Sequence, residues 1–217
     1  KIFTEGSREE QALQYFGIRM ENLAELGITA PILDFHGHLS FTYEGHSVKT
    51  KLLGMHYLQI VALVIAAARK LELSSDLIRV GLSSFIPTNN FITTRSHISG
   101  ACIIDDGKTA NKAGFIAAVE LARSYSAKRK ILITGGIVDL GKQSEEIHRE
   151  LAQLCSQVFD LVIYVNDVEK TVFASVLGDS YISVTTSAEM QKALSQMTSA
   201  DLLIIEGKLP KYASDLF

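Results

Sequence analysis

Between Leu33 and Tyr43 apolar and polar residues alternate. Leu33, Phe35, Leu39, Phe41 and Tyr43 fall on one side, and Asp34, His36, His38, Ser40 and Thr42 on the other. A period of two predicts a half-buried β-strand. Glu44-Gly45 is a turn signal, and His46 to Leu52 continues the strand pattern, so the segment predicts a β-hairpin in which His38 pairs with Lys51. Gly54 then breaks the chain, and His56 to Lys70 reads as a helix. From Tyr57 to Ala68 that helix is apolar nearly all round, a pattern built for burial on most sides; any part left uncovered would promote self-association. A second, shorter helix follows Ser74-Ser75 through Leu77, Ile78 and Leu82. Pro87-Thr88-Asn89-Asn90 is a polar breaker and the candidate domain boundary.

Beyond it the pattern changes to short apolar strands separated by amphipathic helices. The strands are Ala101 to Ile104, Lys130 to Thr134, Leu161 to Val165, Tyr181 to Thr185 and Leu202 to Ile205. The helices run through Phe115, Val119 and Ala122; through Ile147, Leu151, Leu154, Cys155 and Val158; and through Val168, Val172 and Val176, stopped by Gly178. The last begins with Thr186 and Glu189 at capping-box spacing ahead of Met190, Ala193, Leu194 and Met197. Continuously apolar strands imply a parallel sheet covered on both faces. The predicted fold is α/β: a Rossmann-like, doubly wound, mainly parallel sheet over residues 91–217, preceded over residues 1–90 by the tail of a second α/β domain, a hairpin plus two helices. Ligands of such sheets sit at the carboxyl ends of strands, here the loops beginning at Asp105, Gly135, Asn166 and Glu206.

Composition narrows the function. With 217 residues, 47% apolar and 21% charged, the chain is ordinary for a globular protein of one domain plus part of another. A net charge of -3 gives no basic excess to neutralise nucleic-acid phosphates. The apolar run Leu58 to Ala68 is too short for a bilayer, and no signal-peptide pattern opens the chain. Cys102 and Cys155 have no metal-site spacing and read as thiols of a reducing cytoplasm, the expected location. The absence of an initial Met suggests a fragment.

Three constellations carry candidate chemistry. Gly136 to Gln143 has the form G-x-x-x-x-G-K after a strand. Gln143 stands where a magnesium-holding hydroxyl is needed, and Asp139 would repel phosphate, so a tight strand-to-helix turn is the better reading. Asp105-Asp106-Gly107-Lys108-Thr109-Ala110-Asn111 gathers acids, a lysine, a hydroxyl and an amide on one turn before a helix. It fits a ligand-facing loop and a helix-capping turn equally. His36, His38 and His46 suggest a metal, but Lys51 opposite His38 disfavours one, and a solvated hairpin face is expected.

In their order along the chain these pieces resemble the Mur ligase family. A G-x-H-N-x-x-N-A helix appears as Gly54-Met55-His56-Tyr57-Leu58-Gln59-Ile60-Val61. The I-D-D-S-Y-N-A-N-P opening of the last domain appears as Ile104 to Lys112. The R-K-x-x-x-x-G-D-M-x-E-L-G run appears as Arg129-Lys130 and then Gly135 to Gly141, with Ser144 and His148 in the following helix. The chain departs from pattern at Tyr57 and Ile60 (for Asn), at Phe91 (for a hinge arginine, with Arg95 four residues on), at Gly136 (for Asp) and at Glu206-Gly207-Lys208 (for K-G-S).

The resemblance implies an ATP-dependent amide (peptide) ligase of peptidoglycan-precursor synthesis, in which a phosphorylated carboxylate is attacked by an amine. Its last domain would close over the nucleotide and present the amino substrate. On that basis His56, Tyr57, Lys108 and Thr109 are expected to bind nucleotide, and Asp106, Asn111 and His148 the amino or peptide substrate. No catalytic residue and no metal ligand is assigned. ATP and Mg2+ are the cofactors expected of the intact parent, with neither held tightly by this chain. The phosphate loop and the metal ligands would belong to sequence before Lys1, so the chain alone would be inactive. The partners expected are the missing amino-terminal and central segments, with no nucleic acid and no membrane. The alternative is a degenerate, non-catalytic Mur-like binding or scaffold module. A dinucleotide domain is disfavoured, since no G-x-G-x-x-G follows a strand.

Overall fold

The computed structural model describes residues 20–34, 36–87 and 92–217. The chain divides into two compact units, residues 1–88 and 89–217. Phe35, the breaker residues Thr88 to Asn90 and the hinge position Phe91 lie outside the described residues.

In the first unit a 3-10 helix, Met20–Leu26, precedes three antiparallel strands in the order β1 (Ile28–Leu33), β2 (His38–Tyr43) and β3 (His46–Leu53). The turn between β2 and β3 has left-handed φ at both Glu44 (+47°) and Gly45 (+80°), as a two-residue hairpin turn requires. Leu39, Phe41 and Tyr43 are buried, as their alternation predicts. The structure departs from two expectations. The run Leu33 to Tyr43 is not one strand: Asp34 Oδ1 accepts from the backbone N–H of His36 and of His38, 2.9 Å each, and Gly37 turns at φ +82°. This turn separates off β1, whose register shifts between Thr29 and Ile32 and whose alternation was therefore illegible. His38 pairs with Leu53 and not Lys51, because the register shifts between His38 and Ser40, where Thr50 Oγ1 donates to Leu39 O at 2.8 Å.

Helices α1 (Tyr57–Lys70) and α2 (Ser75–Ser84) follow. Helix α1 buries Leu58, Val61, Ala62 and Ile65 but leaves Ile60 and Val64 41% and 48% exposed. The Ser74 hydroxyl caps α2 by accepting from Leu77 N.

The second unit runs β4 (Thr93–Ser96), β5 (Cys102–Asp106), α3 (Lys112–Ser124), β6 (Arg129–Thr134), α4 (Ser144–Ser156), β7 (Leu161–Tyr164), α5 (Lys170–Leu177), β8 (Tyr181–Ser183), α6 (Ser187–Leu194), β9 (Asp201–Glu206) and α7 (Lys211–Ser214). The sheet order is β4-β5-β9-β6-β7-β8, parallel except for the β4 edge. Strand β4 was not legible because Thr93 to Ser96 carries no apolar residue, a composition suited to an edge. Helix α5 begins only at Lys170, since Glu169 takes left-handed φ (+50°) and leaves Val168 outside.

Right-handed crossovers from β5 outward to β8 stack α3, α4 and α5 on one face. The return from β8 to β9 runs the other way and carries α6 to the opposite face. There Met190 and Leu194 join Ile103, Ile131, Ile133, Ile163, Leu203 and Ile205 in one buried cluster. Each such side chain contributes ~1.5–3 kcal/mol on burial.

Candidate functional site

Strand β9 inserts between β5 and β6, so three carboxyl ends lie side by side. Asp106, Glu206 and Thr134 are in register there, Asp106 with Glu206 and Glu206 with Thr134. The chain leaves β5 and β6 toward α3 and α4 on one face, and leaves β9 toward α7 on the other. This is the topological switch point at which open α/β sheets bind ligands.

The loops beyond these ends are held close by glycines. Gly207 N donates to Asp106 O at 3.1 Å, and a Cβ on Gly207 (φ +81°) would meet Ala110 Cβ at 3.0 Å. Gly136 (φ +72°) is more constrained: a Cβ there would collide with the Tyr164 hydroxyl and meet His148 Nε2 at 2.6 Å. That geometry accounts for glycine at the position where the resemblance led us to expect Asp.

Asp105 builds the first loop. Its Oδ1 accepts from Gly107 N at 2.9 Å, and its Oδ2 accepts from Arg95 Nη2 at 2.6 Å. Arg95 also donates to Phe217 O, so it is engaged within this unit. Asn111 is the N-cap of α3, its Oδ1 accepting from Gly114 N at 2.9 Å. Between these two anchors Asp106 is half-buried, while Lys108 and Thr109 are exposed. The capping and ligand-facing readings thus divide the loop: Asp105 and Asn111 build the turn, and Asp106, Lys108 and Thr109 project from it.

His148 lies under the second loop, fully buried in α4. Its Nε2 accepts from Ile137 N at 3.0 Å, so Nδ1 carries the proton and donates to Ser144 O at 2.7 Å. Both nitrogens are engaged inside the unit, and any influence of His148 on a ligand passes through the loop it holds.

His56 and Tyr57 belong to the first unit. They open α1 after Gly54 (φ +102°), with ring centroids 4.2 Å apart. Tyr57 is buried and His56 half-buried; burial pushes the His56 imidazole down to about 4, leaving it neutral at physiological pH.

Sequence reasoning placed Glu206 at a ligand-facing strand end and as a reversed charge, but missed its role as a buried acid. Its signal was an acid closing the apolar strand Leu202 to Ile205. The residue is 0% exposed, and among the described residues neither carboxyl oxygen has a hydrogen-bond partner of normal geometry. Burial, reinforced by the facing Asp106 carboxylate, pushes the Glu206 carboxyl up to about 9. Burial likewise raises Asp106, and Asp105 adds to the effect, while Glu206 works against it. Glu206 in turn helps burial raise the Cys155 thiol. A buried carboxyl without a cation neutralises itself by keeping its proton. At neutral pH Glu206 is therefore the protonated member facing the Asp106 carboxylate.

Residues 92–209, more than half of the chain, match the family described as Mur ligase, glutamate ligase domain. A UDP-N-acetylmuramoyl-tripeptide--D-alanyl-D-alanine ligase of Haemophilus influenzae is 29% identical over 109 residues, 49% of this chain and 24% of that protein. Among solved structures, MurF ligase from Thermotoga maritima in complex with ADP has a TM-score of 0.71 at 16% identity, covering 88% of this chain and 45% of that one. The folylpolyglutamate synthase of Mycobacterium tuberculosis, complexed with ADP and AMPPCP, has a TM-score of 0.60 at 15% identity, covering 83% and 45%. At these identities the structures are alike in fold. The chain spans about a quarter of the curated relative and under half of these solved chains.

Proposed function

Since the chain belongs to the Mur ligase family, we propose that it is part of an ATP-dependent amide ligase acting on peptidoglycan precursors. The first unit is then the carboxy-terminal part of the ATP-binding domain. The second is the domain that closes on nucleotide and presents the amino substrate. The observation that carries this reading is the loop from Asp106 to Asn111 at the switch point of a domain matching the family over residues 92–209.

In this reading ATP, with Mg2+, supplies the phosphoryl group that activates a substrate carboxylate. The residues fit a nucleotide in part. Exposed Lys108 and Thr109 provide a point charge and a hydroxyl suited to phosphate oxygens, and half-buried His56 beside Tyr57 provides a neutral ring edge for a base. Among the described residues no group of three or more His, Cys, Asp or Glu could hold a metal, so no metal-borne step is assigned to them. Asp106 presents negative charge to the substrate ammonium. Asn111 and His148 fix the two loops around it. The bound nucleotide and the amino substrate are the small-molecule partners.

The test is ADP binding to the full-length protein by calorimetry. Lys108→Ala should weaken affinity about tenfold, the loss of one charge-assisted contact of ~1.4 kcal/mol, with an unchanged melting temperature. Unchanged affinity with a lowered melting temperature would make Lys108 a structural residue.

A second reading, a non-catalytic Mur-like binding module, is favoured by one observation: a buried acid, Glu206, stands where the resemblance led us to expect a lysine. Substrate-dependent ADP release by the full-length protein separates the two.

A further inference from the structure

The pair at the ends of β5 and β9 does more than depart from a family pattern. We propose that Glu206 is the positioning residue for Asp106: a buried carboxyl that locks the half-buried Asp106 carboxylate in the orientation in which it meets the ammonium group of the amino substrate. The ammonium assignment rests on the function proposed above; the locking does not.

Asp106 and Glu206 are register partners on adjacent parallel strands, so their side chains leave the sheet on the same face. That is the face covered by α3 and α4. Helix α3 brings only apolar side chains to its buried side, including Phe115, Ala118 and Val119. Helix α4 brings Cys155, whose thiol faces Glu206 and stays protonated. Strand β6 brings the Thr134 hydroxyl in register, which accepts from Gly136 N. Among the described residues the carboxyl in register with Glu206 is that of Asp106, and the two raise each other's cost of ionisation.

The electrostatics give the direction. Two buried carboxyls side by side do not both ionise. Burial raises both carboxyls, and Glu206, the more deeply buried, is the one that keeps the proton, so that Asp106, the half-buried member, ionises first. The pair then carries a single negative charge, placed on the member that ligand can reach. Gly207 N, one residue beyond Glu206, donates to Asp106 O and ties the backbone of the acceptor to the same strand end.

The experiment uses this chain, with its carboxyl carbons labelled and titrated by NMR, as wild type, Glu206→Gln and Glu206→Ala. Glutamine keeps a donor facing Asp106, whereas alanine removes it. In the wild type Glu206 should stay protonated through neutral pH. In Glu206→Ala the Asp106 titration midpoint should move by ~1 pH unit relative to Glu206→Gln, the size of shift one hydrogen bond or neighbouring charge produces. An Asp106 midpoint indifferent to both substitutions in folded protein would overturn the proposal. If Glu206→Ala does not fold, Glu206→Gln against wild type still decides: a Glu206 carbon that titrates near 4.5, its ordinary value, overturns it. D-alanine is then added as an ammonium probe. If the midpoint moves as expected and the probe leaves the Asp106 signal of the wild type unmoved, the positioning stands and the amine assignment falls.

Discussion

His148 Nε2 accepts the backbone N–H of Ile137 at 3.0 Å, and this bond ties the loop after β6 to the second turn of α4. Ile137 and His148 are both buried, so removing the acceptor leaves a buried N–H without a partner as well as a cavity. His148→Ala should cost about 3 kcal/mol of stability, read as a lowered urea midpoint. His148→Gln, whose amide oxygen can still accept, should recover part of it. Wild-type stability in the alanine variant would mean that the bond contributes nothing to the fold.

Gly136 tests the same loop from its other side. Gly136→Ala combines a left-handed backbone with a Cβ driven against the Tyr164 hydroxyl and the His148 ring. We expect a loss of about 2 kcal/mol or more and faster amide exchange at Ile137. A neutral substitution would show that the loop can rearrange cheaply.

Glu206 sets a sign for the pH dependence of the second unit. Its folded pKa is raised to about 9 from 4.5. The stability it contributes is complete below pH 4.5 and is lost as pH rises toward 9, because the folded state holds a proton that the unfolded chain has released. His56, in the first unit, has the opposite sign: its folded pKa is depressed to about 4 from 6.5, so its contribution is present above pH 6.5 and lost as pH falls. Denaturant melts at pH 5.5, 7 and 8.5 of wild type minus Glu206→Gln isolate the first effect. The difference should fall by on the order of 1 kcal/mol per pH unit. A flat difference would mean that Glu206 is ionised when folded.

The first unit presents apolar side chains to solvent on both helices. Ile60 and Val64 of α1 are joined by Leu77 and Val80 of α2, 55% and 53% exposed. Exposed apolar surface drives association. Sedimentation of this chain should show concentration-dependent self-association, reduced by Val64→Glu with Leu77→Lys. A monomer at all concentrations would show that the face is too dispersed to associate.

What local sequence could determine by itself was each element that carries its own periodicity or punctuation. The apolar strands Lys130 to Thr134 and Leu202 to Ile205 alternate with helices of 3.6 period, and this pattern by itself requires a parallel sheet. Thr186 and Glu189 announced a complete capping box, and Gly178 a helix end, because these signals act within four residues. The Asp105 to Asn111 turn was visible for the same reason, as was its ambiguity. Tertiary structure decided whatever depends on a partner distant in sequence. Strand β4 exists because β5 offers it an edge. The break at Asp34 depends on a side chain accepting two backbone donors, which alternation does not record. His148 is legible as a helix residue, but only the fold brings Ile137 to its Nε2. Glu206 and Asp106 are 100 residues apart and become neighbours because the chain returns from the far edge of the sheet to insert β9 beside β5. A charge at the end of a strand costs little in water. Its burial against a second carboxyl gives it a proton to hold, and that environment is a property of the assembled sheet.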